Sequence, residues 1–224
     1  MIKIFYLIIS PCLIFGIIFA CSDSNIKLNQ KDIIHLNSDT CNDPDRDDIN
    51  CHFEYMPENV SSKVKIADDS VSGMRIIIKS RLLKSDGITP IPNAYLFHYQ
   101  TDKNGYYPKN GNEKGIHKWT GYLHGWNKTD ENGYCEIHTI RPAQYPTNDF
   151  PAHIHSVVKL NENSKPFYIN DYVFKDDPLV TEKYTGNLNF QGGNGIVAFD
   201  EDSSGVKIGK RDIILNKINH SCPK

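Results

Sequence analysis

The chain of 224 residues lacks the marks of a nucleic-acid-binding, helical or repeat protein. Its 25 Lys and Arg nearly balance 27 Asp and Glu, for a net charge of -2, and no basic stripe interrupts the mixture. That leaves no electrostatic footprint for nucleic acid and no polybasic patch for an anionic bilayer. No C-x2-C pair occurs, which argues against a cysteine-based zinc site. No stretch longer than about ten residues carries a convincing helical period. Internal repeats and strong low-complexity segments are absent as well.

What is present begins with a short apolar leader. Lys3 supplies a positive start, Ile4 to Ala20 is almost wholly apolar, and Cys21 follows at once. So short an apolar run, ending on a small residue, reads as a secretory signal over residues 1–20 rather than a spanning helix. Ile18-Phe19-Ala20-Cys21 resembles a bacterial lipobox. That resemblance implies cleavage before Cys21 and a diacylglycerol on its thiol, holding the protein at a membrane surface outside the cytoplasm. Ser22 favours the outer membrane.

Cysteine usage agrees with export. Once Cys12 leaves with the signal and Cys21 is lipidated, Cys41, Cys51, Cys135 and Cys222 remain. This is an even number in an oxidising compartment, so two disulfides are possible. Cys41–Cys51 is the easiest local closure and leaves Cys135–Cys222; free thiols are the alternative.

Residues 21–72 are polar and read as a solvated tether between lipid and domain. Within them, Asp43, Asp45, Asp47 and Glu54 have the spacing of a calcium loop. Asp48 stands where that loop needs glycine, which counts against it. From residue 73 to about 220 the pattern changes. Short alternating runs cover 74–83, 90–99, 134–140, 152–159, 167–174, 196–199 and 211–215. They are divided by Asp86-Gly87, Asp102-Lys-Asn-Gly105 and Asp130-Glu-Asn-Gly133. Strands separated by such turns predict an all-β fold, an antiparallel β sandwich or barrel.

One strand carries chemistry. In Pro151-Ala-His-Ile-His155 the two histidines are one residue apart, so on a strand both imidazoles face the same side and can share a metal ion. Tyr145 precedes them. A phenol loses its proton near pH ~10 in water, so a centre using two tyrosines at neutral pH needs a strongly Lewis-acidic ion. Ferric iron is such an ion, and two phenolates with one hydroxide neutralise it. Tyr107, after the Asp102–Gly105 turn, is the candidate second phenol, with Tyr106 as the competing register. Isolated His-x-His pairs are more often structural. His98, His117, His124 and His138 read as surface or hydrogen-bonded residues, and Trp119, Tyr122 and Trp126 as packing or pocket walls.

Taken together, Thr139-Ile-Arg-Pro-Ala-Gln-Tyr-Pro146 and Pro151-Ala-His-Ile-His155 resemble the signature of intradiol ring-cleavage dioxygenases. Thr129-Asp-Glu-Asn-Gly133, the Tyr99–Tyr107 segment, Asp177-Pro-Leu179 and Asp212-Ile-Ile-Leu215 extend the likeness over roughly residues 73–217. The resemblance implies a β sandwich and mononuclear Fe(III) held by Tyr107, Tyr145, His153 and His155. It further implies a catechol-type substrate opened by O2 to a muconate-type dicarboxylate, with Tyr145 as the displaceable ligand acting as base. One position departs from it. Where the family usually has arginine, three residues before the first histidine, this chain has Phe150. That arginine would stabilise charge building on the substrate; Arg141 and His124 are candidates to replace it. Asp171 falls where the family often has a glutamine. The departure sustains two rival expectations: an iron protein that captures catechol-bearing molecules without cleaving them, and a vestigial transthyretin-like binding module.

Overall fold

The computed structural model describes residues 41–203 and 205–216. The signal, Cys21, the first part of the tether and Cys222 lie outside the described residues. Among the described residues, no helix is long and apolar enough to cross a membrane.

Among the described residues, eleven strands form two sheets. The first sheet orders β1 (Lys63–Lys65), β5 (Tyr134–Ile140), β2 (Arg75–Leu83), β11 (Lys207–Ile214) and β10 (Phe199–Glu201). The second orders β4 (His124–Lys128), β3 (Tyr95–Gln100), β6 (His153–Lys159), β8 (Tyr172–Phe174) and β9 (Ile196–Val197), with β7 (Phe167–Tyr168) also on β6. Most pairings are antiparallel; β1–β5, β2–β11 and β8–β9 are parallel. The helices of the described residues are two single turns, α1 (His117–Thr120) and α2 (Glu182–Thr185), plus a 3-10 turn at Ile49–Phe53.

Alternation builds the sandwich. Ile76, Ile78 and Leu82 of β2 and Ile137 of β5 meet Leu96, Ile154 and Val158 of the second sheet in one buried core. This period-2 burial is the main stabilising contribution, roughly 1.5–3 kcal/mol for each large apolar side chain fully removed from water. It also dictates what faces outward. With Ile154, Ser156 and Val158 turned inward on β6, His153, His155 and Val157 point to the sheet's other face. β3 is buried on both faces, because Phe97 and Phe53 with Val157 form a second cluster there.

Phe53 belongs to the segment expected to be a tether, and here the expectation fails. Residues 41–72 pack on the domain: Cys41 and Cys51 form a disulfide, β1 pairs with β5, and Ile66 and Ala67 enter the main core. Trp119 and Trp126 hold the segment through indole N–H bonds to Pro44 O (3.1 Å) and His52 O (2.8 Å). A polar composition therefore concealed a clamped segment. The calcium loop is not formed either. Asp43 pairs with Lys118, Asp48 caps the 3-10 turn, and the acidic residues make no metal-holding group among the described residues. Cys135 is a free, buried thiol; its expected partner, Cys222, lies outside the described residues. Cys135 faces the core from β5, and burial pushes its pKa up to about 12.

Candidate metal centre

Two loops and β6 converge on one point. The Asp102–Gly105 turn is held by Asp102, whose carboxylate accepts from Asn104 N (2.8 Å) and Tyr106 N (3.1 Å). Gly105 has φ +85°, and a Cβ there would lie 2.0 Å from Gln144 O. Only glycine permits that approach. It brings the loop carrying Tyr107 against the loop carrying Tyr145, and Ala143 N donates to Asp102 O (2.9 Å) across the same seam. Tyr107 turns inward toward Tyr145, while Tyr106 is 61% exposed.

The four side chains named from the sequence meet. Tyr107 Oη and Tyr145 Oη are 2.5 Å apart. Tyr145 Oη lies 3.0 Å from His155 Nε2 and 3.2 Å from His153 Nε2, and the two Nε2 atoms are 3.0 Å apart. Each imidazole is oriented from behind. His153 Nδ1 donates to Pro151 O (2.6 Å) and His155 Nδ1 to Asp171 (2.9 Å). A carbonyl only accepts, and so does an ionised carboxylate, so both protons sit on Nδ1. Both Nε2 lone pairs are then bare and face each other. Tyr145 can donate to one of them at a time, so one nitrogen is left without a proton. A cation at this point would satisfy all four atoms. Metal-bound histidines are typically held in this way from the far nitrogen.

Electrostatics agree. Burial pushes both phenols above their ordinary value; Tyr145 adds to the effect at Tyr107, while the hydrogen bond from Tyr107 opposes it at Tyr145. Burial, with neighbouring His155, lowers His153 to about 4. Burial alone would raise the carboxyl of Asp171, but the hydrogen bond from His155 and the Arg211 guanidinium help hold it below its ordinary value. Without a cation the phenols stay protonated. A hard, highly charged ion reverses this by binding phenolate, and the imidazole–phenol set suits Fe(III). Asp171 lies near enough to count with the histidines as a metal-holding group. Its bond to Nδ1 makes it the partner that orients His155 instead.

The other expectations resolve geometrically. Arg141 does not replace the missing arginine: it forms a two-point pair with Asp176 (2.8 Å each) and lies over Phe174. His124 stacks on His117 at 3.8 Å and bonds Gly121 O. His98 is a core residue bonded to Ser156 (2.6 Å), and His138 pairs with Glu136. Trp119 walls the cleft and Trp126 packs on Phe97. Three features escaped sequence reasoning. Tyr99, opposite His155 in the β3–β6 register, stacks on it at 4.5 Å, a contact that the two alternating strands could have signalled. Arg46 reaches the cleft wall from the disulfide-closed segment, and His52 packs behind Tyr99. Neither carries a local signal.

The cleft lined by Tyr107, Tyr145, His153 and His155 has a volume near 420 Å³. Residues 52–201 match the family model described as Dioxygenase. No curated protein sequence matches the chain. Among solved structures, it is similar to the dioxygenase domain of a dioxygenase–carbohydrate-binding fusion from Streptomyces sp. SirexAA-E. Identity is 17% and the TM-score 0.53, over 72% of this chain and 92% of that one. It is also similar to 3-chlorocatechol 1,2-dioxygenase from Rhodococcus opacus 1CP, at 19% identity and TM-score 0.53, covering 73% and 70%. A third is the intradiol ring-cleavage dioxygenase from Tetranychus urticae, at 21% identity and TM-score 0.51, covering 75% and 92%. With the two-sheet sandwich and the Tyr–Tyr–His–His convergence already in place, the match places this chain in the intradiol ring-cleavage dioxygenase family.

Proposed function

We propose that the protein is a non-haem Fe(III) intradiol dioxygenase, which adds both atoms of O2 to a catechol-type aromatic and releases a muconate-type dicarboxylate. The observation that carries this reading is the convergence of two Nε2 atoms, 3.0 Å apart on imidazoles each tied from behind, with Tyr145 Oη within 3.2 Å of both and Tyr107 Oη beyond it. Tyr107, Tyr145, His153 and His155 would hold the ion. Ferric iron, when bound, supplies the Lewis acidity that stabilises phenolates and readies a catecholate for O2.

The chain's own residues do the rest. Tyr145 Oη sits between the other phenol and both imidazoles, so it is placed to take a proton from a catechol hydroxyl as general base. Asp171 fixes the orientation of His155. Tyr99, stacked on His155, and Trp119 give the cleft flat aromatic walls. The leader and the lipobox-like run at Cys21 support an extracytoplasmic, lipid-anchored location; radiolabelled palmitate incorporation that is lost in Cys21→Ser tests it.

Phe150 favours a second reading. Its ring packs edge-on against His153 at 4.9 Å, where a cation would have assisted cleavage, so capture of a catechol without cleavage is the rival. Turnover under 18O2 separates the two. Ring cleavage puts two labelled oxygen atoms into one dicarboxylate. A catechol-dependent spectral change without oxygen uptake would establish capture.

A further inference from the structure

The metal-centred cleft does not end at the metal. A second cavity of about 540 Å³ adjoins it, and the two share Phe150, Asp171 and Phe190 as a common wall. Each cavity alone falls within the roughly 300–1,000 Å³ of a small-molecule pocket. A single catechol ring at the metal therefore occupies only the first. Two rings make most of that wall, and the Asp171 carboxylate in it is taken up by His155 Nδ1 (2.9 Å). Phe150 presents its ring to His153 on one side (4.9 Å, 80°) and to Tyr184 of α2 on the other (5.4 Å, 77°). Phe190 packs against Tyr168 at 5.5 Å. Phe150 is 38% exposed and Phe190 54%, so both keep apolar surface in contact with water along this passage. Exposed apolar surface lining a groove commonly marks a ligand surface. Leu179 and Leu188 continue the lining, and Lys183 and Asn187 stand at its rim.

We propose that the second cavity is a subsite for the arm of a two-ring substrate: a catechol joined to a second aromatic ring that bears a hydroxyl or acidic group. The inference rests on the metal-centre reading above and extends it. The catechol end sits among Tyr107, Tyr145 and the histidines. The second ring lies past Phe150 against Phe190, Tyr184 and Leu188, where edge-to-face contacts are available. Its polar group meets Lys183 or Asn187. On this account Phe150 is the residue that opens the passage, since a cation there would leave a charged group in the path of an apolar arm.

The test uses iron-loaded protein under anaerobic conditions with two probes, catechol and 4-phenylcatechol. Calorimetry and the visible spectrum together give Kd. The wild type should bind 4-phenylcatechol at least about tenfold more tightly than catechol, with a more negative heat-capacity change from the added apolar burial. Leu188 lines only the second cavity, so Leu188→Trp should fill it, remove that preference and leave catechol binding within about twofold. Lys183→Ala should leave both of these Kd values unchanged. It should weaken only a probe whose second ring carries a carboxylate, 4-(4-carboxyphenyl)catechol. Equal Kd values for the first two probes, or an equal loss of both in Leu188→Trp, would overturn the subsite while the metal-centre reading stands. If neither probe alters spectrum or heat, the metal-centre reading falls and takes the subsite with it.

Discussion

The two ends of the cleft are built on opposite principles. At the candidate metal end, polar atoms are tied to fixed partners: Pro151 O and Asp171 orient the imidazoles, and the Gly105–Gln144 contact fixes the tyrosine loops. At the far end, Phe150 and Phe190 offer aromatic surface to solvent, Phe150 held edge-on by Tyr184 and Phe190 by Tyr168. The first arrangement resists change because a misplaced donor leaves a buried polar group unpaired. The second tolerates change, since one apolar ring can replace another at small cost. On the proposed reading, the chemistry resides in a strand and two laced turns, and the choice of substrate in loops.

The comparison can be broken at either end. At the metal end, Asp171→Ala removes the carboxylate that orients His155. Metal affinity should fall about 10–100-fold, as read by competitive chelation, with the sandwich still folded by circular dichroism. An unchanged affinity would show that the end is less tightly specified than its geometry indicates. At the apolar end, Phe150→Arg should lower the preference for 4-phenylcatechol over catechol by about tenfold, the ~1.4 kcal/mol scale of one lost aromatic contact. The visible band should keep its position. A shifted band would mean that the two ends are coupled.

A third test addresses the seam. Gly105→Ala places a side chain at φ +85° against Gln144 O and should cost more than the ~1–2 kcal/mol of a left-handed alanine. A lower Tm together with a weakened iron band is expected, because both tyrosine loops depend on this contact. The smallest effect at neutral pH comes from the core. Burial lowers His98 to about 3 and His52 to about 4, both below the ordinary 6.5. The unfolded chain therefore takes up these protons first. Stability is complete above about pH 6.5 and falls as pH drops toward 4, by about 1.4 kcal/mol per unit for each histidine. Urea unfolding from pH 7 to pH 5 measures it, and His98→Gln should flatten the slope.

How much of this was legible in the sequence follows the same division. β2, β5 and β6 fall almost where alternation put them, because one face of each is buried in a single core. The pair His153 and His155 was readable for the same reason. Tyr107 was readable from the turn before it. The expected strand over 167–174 instead divides into β7 and β8, because Asn170 turns away from the ladder. Its side chain bonds Phe190 N and O and Gly193 O, which leaves Asp171 at the turn facing His155. No periodicity encodes that. Residues 41–72 were misread because few of them are apolar: a disulfide closes residues 41–51 on themselves, and the attachment comes from two indole N–H bonds, the β1–β5 pairing, and Ile66 and Ala67 in the core. Arg46 was missed with them, although it lines the cleft.

The central claim is that two phenols and two imidazoles hold ferric iron at one point. The most direct measurement is the visible absorption of the protein after loading with Fe(III). The account predicts an intense tyrosinate-to-iron charge-transfer band that weakens in Tyr145→Phe or Tyr107→Phe and vanishes when both are replaced. A colourless protein that retains no iron, or a band unchanged in the double variant, would contradict it.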